Sequence, residues 1–396
     1  MKYVLISIAV LMALCSCNTN SNESEMSTEA LIISYQERTA HTVYLTKNHL
    51  HQPVICWSEE DTITGQKFLH YSISHDHGVS FIKNKDVPLP GEVKLHPEGM
   101  PKIAFRHNGE VYVFYEVSTT SEFNRFAGEI HYIVSKNEGN DWSPPHRVHQ
   151  DSSQHKAWSF LDVTLLSDGE IGVCWLDTSL SGKGRSLKFA RTDSEGNFTN
   201  EIIVDSLACE CCRTAIYCDA LGTIGIVYRD IINDSIRDIS VSFSTDMGKS
   251  FSKPVCFSGD NWNINGCPHN GPDVTVNSNG IYSVWFTGAM EKGLYYAELD
   301  KKGGQTSKRK ISDSGTHIQM CLLNNEQRVM VYNEMKKVNE IYHSQLYAQI
   351  QPAGKIIALT PGNSDATLPS VTDLTDGFGV VWIEKGKVLY KSVKVM

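Results

Sequence analysis

Three cysteines fall within four positions at Cys209-Glu210-Cys211-Cys212, and further on a second run reads Gly266-Cys267-Pro268-His269-Asn270-Gly271-Pro272. Thiolate sulfur and imidazole nitrogen are ligand types that hold zinc or copper, and soft sulfur favours copper(I). The same cysteines suit a second use. A disulfide from Cys209 or Cys212 to Cys267, or a vicinal Cys211–Cys212 ring, would staple this region in an oxidising compartment. His96, His155 and His317 occupy matching places, each just ahead of an apolar segment. The expectation is a metal site of Cys209, Cys211, Cys212, Cys267 and His269, holding copper or zinc, with His96, His155 and His317 around the same opening. Cys56 and Cys174 lie inside apolar segments and read as small buried residues without chemistry.

A second group carries charge. Arg213, Arg229 and Arg237 offer planar guanidinium groups that fit a carboxylate through paired N–H bonds. Tyr228-Arg229-Asp230 and Ile236-Arg237-Asp238 read as the two sides of a hairpin, where cross-strand charge pairing is the simpler expectation. Glu116, Asp162, Glu210, Asp230, Tyr332 and Glu334 complete an inventory of groups able to transfer protons or attack a substrate.

These residues are positioned by a repeat. An apolar strand ending near Trp or Tyr recurs at 54–57, 111–115, 171–175, 224–228, 281–285, 329–332 and 379–382, with starts 57, 60, 53, 57, 48 and 50 residues apart. Strand pattern with a period near 50 predicts an all-β fold, a β-propeller with one blade per copy. Inner strands are expected at 41–45, 100–105, 160–165, 214–218, 273–276, 318–322 and 368–373. The chain ends after the third strand of the last copy, so residues 31–35 are expected to supply its outer strand and close the ring. In such a blade the loops entering inner strands share one end with the loops joining strands two and three. Five successive entry loops place a His or Cys there.

Two turns share the spacing Ser-x-Asp-x-Gly-x-x-Phe, at Ser74 to Phe81 and Ser244 to Phe251, and Ser135 to Trp142 repeats it with Asn137 in the Asp place. This resembles the Asp box of the sialidase superfamily. The resemblance implies a propeller of six blades, against the seven counted here, and a retaining exo-α-sialidase acting on terminal acidic sugars as one possible activity. On that reading Arg213, Arg229, Glu210 and Asp230 would be catalytic. The Arg-Ile-Pro stretch of authentic sialidases is absent near the N-terminus. The chain is also similar to exported sialidase-like proteins sharing the Cys209–Cys212 run, Tyr228-Arg229-Asp230, Ile236-Arg237-Asp238-Ile239 and the 266–272 run. A non-catalytic glycan- or protein-binding scaffold with structural disulfides is the third reading.

Lys2, an apolar run over 4–14 and Leu14-Cys15-Ser16-Cys17 read as a bacterial lipoprotein signal over 1–16, with Cys17 lipidated. Residues 17–30 then form a polar tether and 31–396 a single propeller domain. The run is too short for a permanent bilayer span. Membrane contact through the lipid anchor, at the periplasmic or outer face of the cell envelope, is the expected localisation. Net charge is −9 from 36 basic and 45 acidic residues, with no basic run to follow a phosphate backbone, so nucleic acid is not an expected partner. A metal ion, a small molecule or a glycan is. Without residues 1–16 ten of the 11 cysteines remain, one of them lipidated. Nine is an odd number, so at least one thiol is left outside any set of pairwise disulfides.

Overall fold

The computed structural model describes residues 29–81, 83–89, 93–179 and 182–395. The signal segment and Cys17 lie outside them. The described residues form seven four-stranded antiparallel sheets, numbered here as blades I to VII. Their inner strands are Arg38–Lys47, Lys102–Phe105, Ser159–Leu165, Ala215–Cys218, Asp273–Val276, Gly315–Leu322 and Ala366–Leu374. The count is seven, and not the six that the resemblance implied.

The second strand of each blade explains why the pattern folds this way. Val111–Ser118, Ile171–Thr178, Ile224–Arg229 and Ile281–Thr287 are buried along almost their whole length. A strand sandwiched between its own blade and the next has no solvent face, so it reads as a continuous apolar run and not as an alternation. Trp57, Trp175, Trp285 and Trp382 fill the spaces between blades. Trp57, for example, packs with Val381 and Tyr390 of blade VII.

Closure joins the two ends of the chain. Leu31–Ile32 pairs with Lys387–Lys394, Leu31 lying opposite Tyr390, and so supplies the fourth strand of blade VII. The remaining sheet edge is thereby covered. The Asp boxes are structural. Asp76 accepts Ser74 Oγ at 2.7 Å and the Ser80 N–H at 2.9 Å, and these bonds, with that from Ser80 Oγ, hold its carboxyl at about 2 against the opposing effect of burial. Each box turns on two successive residues of positive φ, His77–Gly78 and Met247–Gly248. Only the second of these is a residue at ease there.

Inner strands surround a polar channel of about 370 Å³. Its wall carries the ion pairs Lys102–Asp162 at 2.9 Å and Lys47–Asp373 at 2.6 Å. Asp162, on the inventory of reactive groups, is therefore paired inside the channel.

Candidate functional site

The loop 209–214 enters the inner strand of blade IV and is pinned where it begins, the Cys209 N–H donating to the Arg229 carbonyl at 2.9 Å. Cys209, Cys211 and Cys212 are all buried, and their sulfurs lie within 4.8 Å of one another. The loop 265–272 enters blade V and brings Cys267 and His269 to Cys211, again with ligand atoms within 4.8 Å. Cys211 thus belongs to both groups. All nine described cysteines are free thiols.

The cluster is electrostatically uneven. Hydrogen bonding from Cys211 and then Cys212 favours the Cys209 thiolate over the opposing effect of burial, and Arg229 and Arg237 add to it, so its thiol is held well below the usual range. Cys211 is pushed up by the same hydrogen bonds, and Cys212 chiefly by burial. Cys209 is thus the thiol of the three most readily ionised. Burial also raises Cys56, Cys174 and Cys321, in keeping with inert core thiols.

Two of the three outlying histidines, His155 and His317, are outside the two groups of ligand atoms. His155 Nδ1 bonds Ser121 Oγ at 2.8 Å and its ring packs on Phe123. His317 Nδ1 meets Asn333 Oδ1 at 3.2 Å. Each occupies the expected loop and is held there by a polar neighbour in its own or the adjoining blade. His96 does reach the cluster, its ring 5.3 Å from that of His269. Its Nδ1 accepts the Glu98 N–H at 3.1 Å, which leaves Nε2 protonated in the neutral ring. Burial and then His269 lower its pKa, so His96 stands beside the cluster as a neutral imidazole.

The arginines are bound into the protein. Arg213 Nη1 pairs with buried Glu98 at 2.9 Å, and Nη2 donates to the Ile318 carbonyl at 2.7 Å. Glu98 Oε2 also accepts the N–H groups of Arg213 and Gly271, at 3.1 and 3.0 Å. Entry loops of blades II, IV, V and VI are thus tied at one point. A Cβ on Gly271 would stand 2.3 Å from Arg213 Cγ and the Arg213 carbonyl, so this close approach needs glycine.

Arg229 donates to the carbonyls of Arg237, Asn270 and Phe286 at 2.8 to 2.9 Å. Asp230 accepts Ser240 Oγ and the Ile231 N–H. Asp238 accepts the N–H groups of Asn261 and Trp262. The 228–238 hairpin is present, but Arg229 and Asp238 meet backbone groups, Asp230 meets Ser240 Oγ and the Ile231 N–H, and Arg237 pairs with Glu210 outside the hairpin, which corrects the cross-strand pairing. The carbonyls and N–H groups of adjoining loops reach the charges first. Glu210 stands 3.5 Å from Arg237. Glu334 accepts from Ser312 Oγ and pairs with Lys336, and Tyr332 is a core residue between blades V and VI.

Beside the cluster opens a cavity of about 690 Å³, lined by Cys211, Cys267, His96 and His269 and also by Lys94, Glu116, Arg185 and Phe126. Its walls come from the entry loops of blades II to V and from the loops joining strands two and three of blades II and III. Glu116 is buried, its Oε1 accepting the Phe160 N–H at 2.6 Å, and burial pushes its carboxyl up to about 7. Lys94 and Arg185 were not singled out in the sequence, where each is an isolated cation at a strand end.

Residues 89–280, from the approach to blade II into blade V, match the family model described as a BNR repeat-like domain. No curated protein sequence matches the chain. Among solved structures, a protein of unknown function from Dyadobacter fermentans is similar with a TM-score of 0.52 at 12% identity, over 81% of this chain and 97% of that one. The intramolecular trans-sialidase from Ruminococcus gnavus, in complex with oseltamivir carboxylate, gives 0.51 at 9% identity, over 90% and 96%. At these identities the likeness is one of fold. The blades that carry the cluster thus lie within a segment similar to the BNR repeat-like domain, and the described residues form a seven-bladed β-propeller whose fold is like that of the trans-sialidase.

Proposed function

We propose that this propeller binds a soft transition-metal ion, copper(I) or zinc, through Cys211, Cys267 and His269 with Cys209 and Cys212 behind them, and presents it to a ligand in the adjoining cavity. One observation carries the reading: Cys211 is shared by two groups of three ligand atoms, each within 4.8 Å, drawn from two blades. A staple needs two sulfurs, whereas three sulfurs with an imidazole make a donor set for zinc or copper. The cavity gives an ion held there a face open to exchange. Cys17 would tether the protein to the membrane by its lipid.

The rival reading, an exo-α-sialidase or other glycan-active protein, draws its support from the shared fold and from a cavity of small-molecule size beside exposed Phe123 and Phe126. It would have to use groups other than Arg213 and Arg229, whose donors are engaged by the protein itself. The test of the metal reading is competition for Cu(I) against a chromophoric chelator, with reduced protein and the double variant Cys211→Ser, Cys212→Ser. The expected result is tight binding lost in the variant while circular dichroism is unchanged. If the cysteines prove mutually oxidised, and no metal binds after gentle reduction, the staple reading replaces this one.

A further inference from the structure

Lys94 and Arg185 line the cavity as half-buried cations, and among the described residues neither has a carboxylate within ion-pair distance. Arg185 is fixed by neutral acceptors. Its Nε donates to the Asp177 carbonyl at 2.9 Å and Nη2 to the Leu176 carbonyl at 2.8 Å, with the Ala157 carbonyl and Ser159 Oγ also in reach. None of these bonds uses Nη1. The Lys94 ammonium donates to the Phe126 carbonyl at 3.3 Å, its one hydrogen bond among the described residues.

Nearby carboxylates are engaged elsewhere. Asp177 pairs with Lys188 at 2.6 Å and Glu210 stands 3.5 Å from Arg237. Glu116 gives one oxygen to the Phe160 N–H, and burial favours its neutral form. A cation drawn partly out of water without an anion is held at a cost, and desolvation lowers the pKa of both side chains accordingly. A bound anion would offset that cost.

We propose that Lys94 and Arg185 form an anion subsite that takes the carboxylate of a small organic acid, whose body lies against Phe126 and Phe160. A planar two-oxygen group matches the edge of a fixed guanidinium, and the ammonium supplies the second contact. Two cations beside the one carboxyl of Glu116 balance a single negative charge better than a dianion. The subsite uses nitrogen donors and not the sulfur cluster, so a failure of metal binding leaves it standing.

The test is calorimetric titration of the mature protein with acetate and D-glucuronate, against D-glucose and inorganic sulfate. Both carboxylates should bind, with D-glucose weaker than D-glucuronate by about tenfold or more, the loss of one charge-assisted contact. Lys94→Met should weaken D-glucuronate by a similar factor. Arg185→Lys, which keeps the charge but not the fork, should weaken it as well. The proposal is overturned if neither carboxylate binds, if D-glucose binds as well as D-glucuronate, if sulfate competes on equal terms, or if a natively folded Lys94→Met protein binds as the wild type does.

Discussion

Replacing Arg213 by Met removes the guanidinium that joins four blades at the entry-loop end and leaves Glu98, 2% exposed, without its charged partner. Two backbone N–H groups still reach Glu98 Oε2, but Oε1 loses its donor and the Ile318 carbonyl loses another. Breaking one side of such a buried pair costs about 3–5 kcal/mol. With an unfolding entropy on the order of 0.8 kcal/mol/K for a propeller of this length, Tm should fall by about 4–6 °C. Glu98→Gln alone should also destabilise, and the double variant should lose less than the sum by roughly 2 kcal/mol, because the two charges share one interaction. Thermal unfolding followed by circular dichroism reads all three. An Arg213→Met protein as stable as wild type would refute the reasoning and restore Arg213 as a residue free to clamp a ligand.

The buried carboxyls give the pH dependence of stability one component of definite sign. Burial raises Glu116 to about 7 and both Asp230 and Asp273 to about 6, so the folded state binds these protons more tightly than the unfolded chain. Their contribution is fully present near pH 4 and is lost as pH rises through 6 to 7, whereas His96, His149 and His317, whose pKa values burial lowers, add stability over the same interval; Glu116→Gln should therefore remove a loss of roughly 2–3 kcal/mol at most between pH 5 and 8, and a folded variant whose Tm follows the wild-type pH profile would contradict the assignment. Gly271→Ala forces a methyl onto the Arg213 backbone and should lower the urea midpoint by an equivalent of about 1–3 kcal/mol, whereas an unchanged midpoint would mean that the loop yields freely. Cys17→Ala should move the protein from the detergent phase to the aqueous phase on Triton X-114 partition, and unchanged partition would exclude the lipid anchor.

How much of this was legible in the chain depends on range. Strand phrases ending in Trp57, Tyr115 or Trp175 announce themselves locally, because a strand buried on both faces must be apolar throughout. Convergence of Cys211, Cys267 and His269 follows from rotation about one axis once the blades are placed. Pairings were not legible where the partner is remote: Glu98 lies two blades from Arg213, and neither residue's spacing points to the other. His155 and His317 sit in the expected loops, yet Ser121 and Asn333 decide where their rings point. Arg229 looked like half of a charge pair, and the carbonyls that hold it come from loops far along the chain. Lys94 and Arg185 carry no motif. What marks them is the lack, among the described residues, of a carboxylate at ion-pair distance from either cation in the cavity wall, which only three-dimensional neighbours reveal.

X-ray absorption at the copper or zinc edge, on mature protein purified anaerobically and given one equivalent of metal, tests the central claim most directly. The account predicts a first shell dominated by sulfur, with zinc–sulfur distances near 2.3 Å, together with an imidazole contribution that disappears in His269→Ala. A shell of oxygen and nitrogen only, or spectra unchanged by Cys211→Ser with Cys212→Ser, would contradict it.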